Sequence, residues 1–189
     1  MPRVSQEQAK LNRQRVIEVA ASLFRERGLH GVGVADIMAA AGLTHGGFYG
    51  QFANKEALAA EAFDCALAEE RRGELDVLLV NYLSLGHVQA PGLGCPLAAL
   101  ANDVAREPSN GPVRTRFTQG VRQLTDLLTG LFPQLSAARR RQRALATLVT
   151  MVGAVVLARA VNDDGLADEM LHAAQVASGT AGGPAKDAH

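Results

Sequence analysis

A stretch of twelve residues carries hydrogen-bond donors of three chemical types. Thr44 supplies a hydroxyl, Tyr49 a phenol and Lys55 an ammonium group. Each of these groups can donate a hydrogen bond to a phosphate oxygen. His45 and Gln51, which lie between them, can reach the polar edge of a nucleotide base, as Thr44 can. This chemistry is compatible with contacts to a nucleic acid.

Catalytic chemistry has little support elsewhere in the sequence. The chain beyond Glu56 has no serine-nucleophile motif, no phosphate-binding loop and no His/Cys spacing typical of a metal site. His87, Cys95 and Asp103 could form a Cys/His/Asp group, but no sequence signature fixes their mutual geometry. We therefore predict no enzymatic activity, no metal and no cofactor. A helical enzyme, or a helical scaffold without a DNA-binding role, is the alternative.

Helices must position the donors, because alanine and leucine dominate the chain and alternating strand patterns are missing. The sequence predicts an all-α fold of about nine helices. Apolar periodicity, Gly stops and Pro starts place them at Gln6–Arg27, Val34–Ala41, His45–Gln51, Lys55–Arg72, Leu75–Leu85, a helix that starts at Cys95-Pro96, Val113–Phe132, Ala137–Val161 and Leu166–Ala177. Loops are predicted at Gly86–Gly94 and Pro108–Pro112.

The stretch Val34–Phe52 has the features of a helix-turn-helix. Two short helical patterns are joined by a turn that contains Gly42, where the chain is expected to adopt a left-handed conformation that glycine adopts cheaply. Thr44 is expected to cap the second helix with its hydroxyl. For the helix pair alone, an αα-hairpin without a DNA role is equally compatible with the pattern. For Tyr49, the alternative is a core aromatic residue.

The longer pattern carries a resemblance to a known family. An amphipathic helix that ends in FRERG is followed by V-x-x-I-x-x-x-A-G-L-T and then by F-Y-x-x-F-x-N-K-E-A-L. Over Arg13–Phe63 this pattern resembles the DNA-binding domain of the TetR family of bacterial repressors. The resemblance implies three N-terminal DNA-binding helices, followed by a larger helical domain that binds a ligand and dimerises.

The resemblance also implies roles for single residues. Thr44 corresponds to an N-cap residue that contacts phosphate, and Tyr49 to a phosphate-binding tyrosine. Lys55 corresponds to a lysine that reaches the DNA backbone. With the residues that face the groove, the predicted DNA-binding set is Thr44, His45, Gly46, Tyr49, Gly50, Gln51 and Lys55.

This sequence departs from the family pattern at several positions. Met38 stands where alanine is usual, so the two helices of the helix-turn-helix are expected to lie slightly further apart. Gln51 replaces a frequent histidine. Gly46, Gly47 and Gly50 leave few base-reading side chains and cost about 1 kcal/mol of helix propensity each, so we expect the recognition helix to be firm only on DNA. Base specificity is then expected to depend partly on DNA shape.

The C-terminal part is expected to bind an effector. GCPLAALA, which begins at Gly94, resembles a segment of one subgroup of TetR-like regulators and does not identify a ligand. Cys95 is interpreted as a small buried hydrophobe, with a reactive thiolate at a helix N-terminus as the alternative. A small, largely apolar effector is predicted among the central helices, with its wall formed by Leu83, Cys95, Phe117, Leu124 and Met151.

The long helix predicted at Ala137–Val161 is apolar nearly all round from Ala144 onward, so it needs cover on every side. Gly153 and Ala154 allow a second backbone to come close. The resemblance implies a homodimer through the last two helices, at 137–161 and 166–177. Four arginines near the start of the long helix are expected to lie in solvent or to pair with acids, and not to bind DNA.

Composition limits the other possibilities. The 189 residues are 48% hydrophobic and 20% charged with a formal net charge of zero, which fits a globular protein and excludes a polybasic coat. Residues 1–60 hold seven basic and five acidic residues, so the N-terminal end is weakly basic.

The sequence predicts a cytoplasmic protein with no membrane contact. It has only two cysteines and a polar N-terminus, and its apolar stretch, Ala144–Ala158, is shorter than a bilayer span.

The predicted organisation has three parts: a helix-turn-helix domain at 1–53, a helical ligand-binding and dimerisation domain at 54–177 and a disordered tail at 178–189. The predicted function is that of a dimeric transcriptional repressor. Its partners would be double-stranded DNA with a palindromic operator and a small molecule whose binding releases the protein from that operator.

Overall fold

The computed structural model describes residues 6–70 and 81–179, and these residues form eight α-helices. In chain order the helices are α1 (Gln6–Arg27), α2 (Val34–Ala40), α3 (Lys55–Glu70), α4 (Leu85–Gln89), α5 (Pro96–Val104), α6 (Pro112–Thr129), α7 (Ala137–Ala160) and α8 (Asp164–Ser178). Short 3-10 helices lie at His45–Gly47 and Pro91–Leu93. The described residues contain no β-strand, and the predicted all-α fold is confirmed.

The helix boundaries follow the predicted start and stop signals closely. Gly28 ends α1 with a left-handed backbone, at φ 77°. Asn54 caps α3 by accepting a hydrogen bond on its Oδ1 from the backbone N–H of Ala57, at 2.7 Å. Pro96 opens α5 directly after its N-cap residue, Cys95. α7 ends one residue before its predicted end, and α8 extends through Ser178.

The prediction of a loop at Gly86–Gly94 was wrong, because most of that stretch is helical. Ser84 supplies a cap that the sequence interpretation overlooked, since its Oγ accepts the backbone N–H of His87 at 3.2 Å and so starts α4. The helix predicted at Leu75–Leu85 lies mostly outside the described residues, and so does the tail beyond Gly179.

The described residues divide into two compact units. The first contains residues 6–70 and 91–120, and its fully buried side chains include Phe24, Ile37, Met38, Phe48 and Phe63. The second contains residues 81–90 and 121–179, with Leu83, Leu124, Met151, Val155 and Leu171 in its core.

In the second unit, two long helices hold the backbone of the segment that contains α4. Arg159 of α7 donates hydrogen bonds to the carbonyl oxygens of His87, at 2.8 Å, and Val88, at 3.3 Å. Gln175 of α8 donates to the Leu83 carbonyl oxygen at 2.8 Å. The His87 ring donates from Nδ1 to the Tyr82 carbonyl oxygen at 2.7 Å, and burial of this ring lowers the pKa of His87.

α7 is buried along one side and exposed along the other. Ala144, Leu148, Met151 and Val155 lie in the core, whereas the Val149 side chain is 70% exposed. Among the described residues, α7 is long and apolar enough to cross a bilayer by length and composition. The same length and composition occur in core helices of soluble proteins, so these two properties do not make α7 a membrane helix.

Candidate nucleic-acid interface

A pair of stacked phenylalanines anchors the predicted DNA-contacting segment. We call residues 6–52 the head, and residues 44–52 within it the recognition segment. Phe48 and Phe52 are buried, and their ring centroids lie 5.5 Å apart. The Arg13 guanidinium lies 4.7 Å from the Phe52 ring centroid and donates a hydrogen bond to Glu61 of α3 at 2.6 Å. The inner side of the recognition segment is thus held against α1 and α3 through Phe52, Arg13 and Glu61. Its outer side faces away from these helices.

The turn that precedes the recognition segment has the predicted geometry. Gly42 has φ 73°, in the left-handed region, and the Leu43 N–H donates to the Met38 carbonyl oxygen at 2.9 Å. Met38 is fully buried, and its terminal methyl lies 3.6 Å from the position that a Cβ atom on Gly47 would occupy. The bulk of Met38 therefore reaches a position in the recognition segment that has no side chain.

The prediction of an α-helix at His45–Gln51 was wrong. The segment forms one 3-10 turn, His45–Gly47, followed by turns in which the Gln51 and Phe52 N–H groups both donate to the Phe48 carbonyl oxygen, at 2.9 and 3.0 Å. The three glycines of the segment explain the difference, because each lowers helix stability by about 1 kcal/mol relative to alanine. Tertiary packing of Phe48 and Phe52 holds the segment in place instead.

The prediction that the Thr44 hydroxyl caps this helix was also wrong. Thr44 has the extended backbone of an N-cap residue, with φ −79° and ψ 146°, but its side chain makes no capping hydrogen bond. The Gly47 N–H donates instead to the backbone carbonyl oxygen of Thr44, at 3.0 Å, as a 3-10 turn requires. The exposed hydroxyl is therefore not used in closing this turn.

Tyr49 is the most exposed large side chain of the recognition segment. Its exposed fraction is 68%, which excludes a role as a core aromatic residue. The Tyr49 ring stands edge-on to Phe48, with 5.2 Å between ring centroids, and to His45, with 5.8 Å. These edge contacts support the ring from two sides and leave it projecting from the head.

Gln51 differs from the other predicted DNA-binding residues, because its side chain turns back onto its own segment. Its Nε2 donates to the Gly47 carbonyl oxygen at 3.2 Å, and its Oε1 is inaccessible to solvent and lacks a hydrogen-bond partner. His45, Gly46 and Gly50 are exposed. The structure therefore brings Thr44, His45 and Tyr49 to one outer surface and holds the amide of Gln51 inward.

Lys55 opens α3 as predicted, but its ammonium group lies over α1. The Nζ atom is 5.9 Å from the centroid of the Phe24 ring. Lys55 also lines a cavity of about 190 Å³ together with Leu29, His30, Glu56, Ala59, Glu107 and Val113. The long lysine side chain must change rotamer to point away from the head.

Sequence reasoning missed the contacts that tie the head to α5 and to the residues just after it. Asp103 of α5 accepts the Leu29 N–H on Oδ2 at 2.6 Å, directly after the left-handed Gly28. The Nε2 atom of His30 lies 2.9 Å from the Oε1 atom of Glu107. No local signal reveals these partners, because they are more than seventy residues apart in the chain.

The five predicted effector residues do not fall in one compact unit. Leu83, Leu124 and Met151 belong to the core of the second unit, whereas Cys95 and Phe117 belong to the first. Cys95 is buried, and the Phe117 ring packs on Phe63 with 5.7 Å between centroids. The effector wall remains a prediction. Within the described residues, no cluster of three or more His, Cys, Asp or Glu side chains could hold a metal ion.

Known proteins share both the head and the whole fold. Residues 16–62 match the family described as "Bacterial regulatory proteins, tetR family". An uncharacterized HTH-type transcriptional regulator of Mycobacterium tuberculosis (strain ATCC 25618 / H37Rv) is 30% identical over 166 residues, or 80% of this chain and 86% of the relative. The structure of a TetR-family regulator from Cytophaga hutchinsonii has a TM-score of 0.71 at 22% identity, covering 94% of this chain and 97% of that chain. A TetR regulator from Chloroflexus aurantiacus has a TM-score of 0.70 at 26% identity, covering 90% and 96%.

The helical fold, in which α2 and the recognition segment are joined by a tight turn at Gly42, is that of a helix-turn-helix protein. The chain belongs to the TetR family of bacterial transcriptional regulators. Like other members it is a DNA-binding regulator of transcription, and dimerisation and a response to a ligand are typical of the family. The function predicted from the sequence is confirmed at this level.

Proposed function

We propose that the outer surface of the recognition segment contacts the operator, with Thr44 and Tyr49 on phosphate oxygens and His45 on a base edge. The observation that carries this proposal is the position of Tyr49, an exposed aromatic donor held edge-on over the buried Phe48. Gly46 and Gly50 carry no side chain, so the DNA backbone can come close to the segment. Lys55 contributes its charge after its side chain turns away from Phe24.

The dimer forms through the α7–α8 hairpin in this proposal. α7 exposes Val149 and Leu157, at 70% and 56%, and α8 exposes Leu166 and Val176, at 44% and 59%. Nothing lies within 4 Å of the position that a Cβ atom on Gly153 would take, so another helix can pack closely there. Exposed apolar side chains on neighbouring helices are typical of a protein interface.

The remaining parts of the proposal are the response to an effector, the location of the protein and the absence of catalysis. A small apolar effector binds in the helical part beyond the head and favours a dimer whose two heads no longer match the operator half-sites. The protein is cytoplasmic and catalyses no reaction. Two of the three residues considered as a catalytic group bind backbone atoms instead, since His87 donates to Tyr82 and Asp103 accepts from Leu29.

A fluorescence-anisotropy titration with DNA from upstream of the protein's own gene tests the DNA contacts. We expect Tyr49→Ala combined with Lys55→Ala to weaken binding by at least about tenfold and to lower the slope of log affinity against log salt by about one, because only Lys55 is a cation. Arg122→Ala is the matched control, because Arg122 is an exposed cation on α6 outside the head. Unchanged affinity and salt slope in the double variant, with its fold intact by circular dichroism, would overturn the assigned contacts.

A further inference from the structure

The cavity of about 190 Å³ that Lys55 lines lies within the first compact unit and has two kinds of wall. Leu29, Ala59 and Val113 are buried and form its apolar part. Its other four lining residues are ionisable, namely His30, Lys55, Glu56 and Glu107. Small organic ligands bind in cavities of this kind, which combine an apolar wall with a few polar groups. None of the five residues predicted for the effector wall lines this cavity, so it is a different site.

The size of the cavity limits the ligand to about one aromatic ring with one small substituent. An apolar cavity of about 150 Å³ in a protein core binds benzene. The cavity described here is somewhat larger and has room for one polar group beside such a ring. The His30 side chain is 70% exposed, so a ligand can enter from solvent on that side.

The charges around the cavity favour an anionic group on the ligand. In the part of the chain that the structure describes, no carboxylate lies within ion-pair distance of Lys55, whose Nζ lies 5.9 Å from the centroid of the Phe24 ring. Glu107 is 14% exposed and already contacts His30. Glu56 lies in the first turn of α3, where the helix dipole stabilises a carboxylate. Lys55 is therefore the charge that a ligand can neutralise.

The first turns of two long helices also meet at this cavity. Lys55 and Glu56 are the first two residues of α3, and Val113 is the second residue of α6. The N-terminal end of a helix carries a partial positive charge, which attracts anions. The two helix ends and the lysine therefore favour the same sign of charge on the ligand.

We propose that this cavity binds an aromatic monocarboxylate of the size of benzoate, with its ring against Leu29, Ala59 and Val113 and its carboxylate on the Lys55 ammonium group. A carboxylate that holds Lys55 at the cavity competes with a DNA phosphate for the same cation. The ligand therefore weakens DNA binding by removing one contact. This effect on DNA rests on the proposed contact of Lys55 with the operator, whereas the binding of the ligand does not.

Isothermal titration calorimetry of the full-length protein with sodium benzoate tests the site without DNA. We expect a dissociation constant of about 1 mM or below. Benzyl alcohol, which has the same ring but no charge, should bind about fivefold more weakly. Lys55→Met should weaken benzoate binding by about the same factor and leave that of benzyl alcohol unchanged. Arg122→Met is the matched control, because it removes an exposed cation outside the cavity.

A variant that fills the cavity tests the location of the ligand. Ala59→Leu adds a branched side chain from α3 and should abolish benzoate binding. Ala68→Leu makes the same change at an exposed position of the same helix and should leave binding as in the wild type. Val113→Phe blocks the cavity from α6 and replaces Ala59→Leu if circular dichroism shows that the leucine variant is not folded.

Fluorescence anisotropy with the same DNA tests the competition. Sodium benzoate replaces sodium chloride at constant ionic strength, because DNA binding depends on salt. Saturating benzoate should lower the DNA affinity of the wild type to that of Lys55→Met, and should not lower that of Lys55→Met any further. Ala59→Leu should bind DNA as the wild type does and show no response to benzoate.

The calorimetric results decide the site. Benzoate that binds no more tightly than benzyl alcohol, or that binds Ala59→Leu as it binds the wild type, overturns the proposal. Tighter binding of benzylamine, which Glu56 and Glu107 would attract, also overturns it. Unchanged benzoate binding in Lys55→Met overturns the assigned role of the lysine.

The DNA results decide the competition. Benzoate that binds but leaves the DNA affinity of the wild type unchanged overturns the competition if Lys55→Met itself weakens DNA binding. If Lys55→Met binds DNA as tightly as the wild type, it is the proposed contact of Lys55 with the operator that fails, and calorimetry still decides whether the cavity is a ligand site.

Discussion

The head and the α7–α8 hairpin expose side chains of opposite chemistry. In the head the apolar residues, such as Phe48 and Phe52, are buried beneath an outer surface formed by Thr44, His45 and Tyr49. In the hairpin Met151 and Val155 are buried, but Val149 and Leu157 remain exposed. Apart from Leu11, which is 60% exposed, the head has therefore buried its large aliphatic side chains within one chain, whereas the hairpin has not.

This difference indicates the kind of partner for each surface. Hydroxyl, phenol and imidazole groups above a buried core are well solvated without a partner. The same groups can form hydrogen bonds with the phosphates and base edges of DNA. An apolar stripe on two adjacent helices suits the same kind of stripe on another protein. Four predictions can break or sharpen this comparison.

Phe48→Ala gives the largest expected effect. Removing a fully buried aromatic ring from beneath the recognition segment should lower the free energy of unfolding by about 3–5 kcal/mol. Urea denaturation followed by circular dichroism measures the loss, since the chain has no tryptophan. The neighbouring Tyr49→Ala is the control and should change the stability by less than about 1 kcal/mol. Equal losses would mean that the core of the head does not depend on Phe48.

Val149→Asp should break association and leave the fold of each chain intact. A carboxylate at this exposed apolar position would be buried without a partner in the dimer, and we expect the dissociation constant to rise by roughly a hundredfold. Leu93→Asp is a matched control, because Leu93 is 85% exposed but lies outside the hairpin. Sedimentation equilibrium measures both variants. A comparable rise for Leu93→Asp would contradict the assignment of the interface to α7 and α8.

Replacing Gly42, just before the recognition segment, and Gly46, within it, by alanine should change the free energy of unfolding in opposite directions. Gly42 has φ 73°, so Gly42→Ala should cost about 1–2 kcal/mol of stability even though the space around it is open. Gly46 has open space and no left-handed backbone, so Gly46→Ala should gain about 0.5–1 kcal/mol. Urea titrations compare the two variants. The same sign for both would contradict our explanation of why the recognition segment is not an α-helix.

His87 gives the smallest expected effect, which appears only as a function of pH. Burial lowers the pKa of His87 in the folded state, so the unfolded chain takes up a proton first as the pH falls below about 6.5. The contribution of neutral His87 is therefore complete above that pH and is lost as the pH falls toward the lower pKa of the folded state. His87→Gln should flatten the stability profile between pH 7 and pH 5. The control, His172→Gln, replaces an exposed histidine on α8 and should leave the slope as it is in the wild type.

The sequence predicted the elements whose signals are local. Gly28 and Gly42 marked the ends of α1 and α2, and Pro96 marked the start of α5. Each of these residues acts through its own backbone conformation. The few residues around it in the sequence are therefore enough to predict the helix end or start.

The sequence did not predict features that depend on competition or on distant partners. The family pattern favoured an α-helix at 45–51 whereas the glycines lower helix propensity there, and only the structure shows that a 3-10 turn forms at His45–Gly47. The inward turn of Gln51 and the position of Lys55 over Phe24 depend on rotamers that no pattern encodes. Asp103 is invisible as a partner of Leu29 because the contact spans 74 positions of the chain.

That contact has a consequence for how the protein is made. The head leaves the ribosome before Asp103, which accepts the Leu29 N–H at the end of α1 and lies 74 residues further along the chain. Arg25 likewise waits for the Gly94 carbonyl oxygen, and His30 for Glu107. The nascent head therefore completes its contacts only when α5 and the residues after it have emerged. A ribosome-bound chain that stops before residue 94 holds a head without any of these three partners.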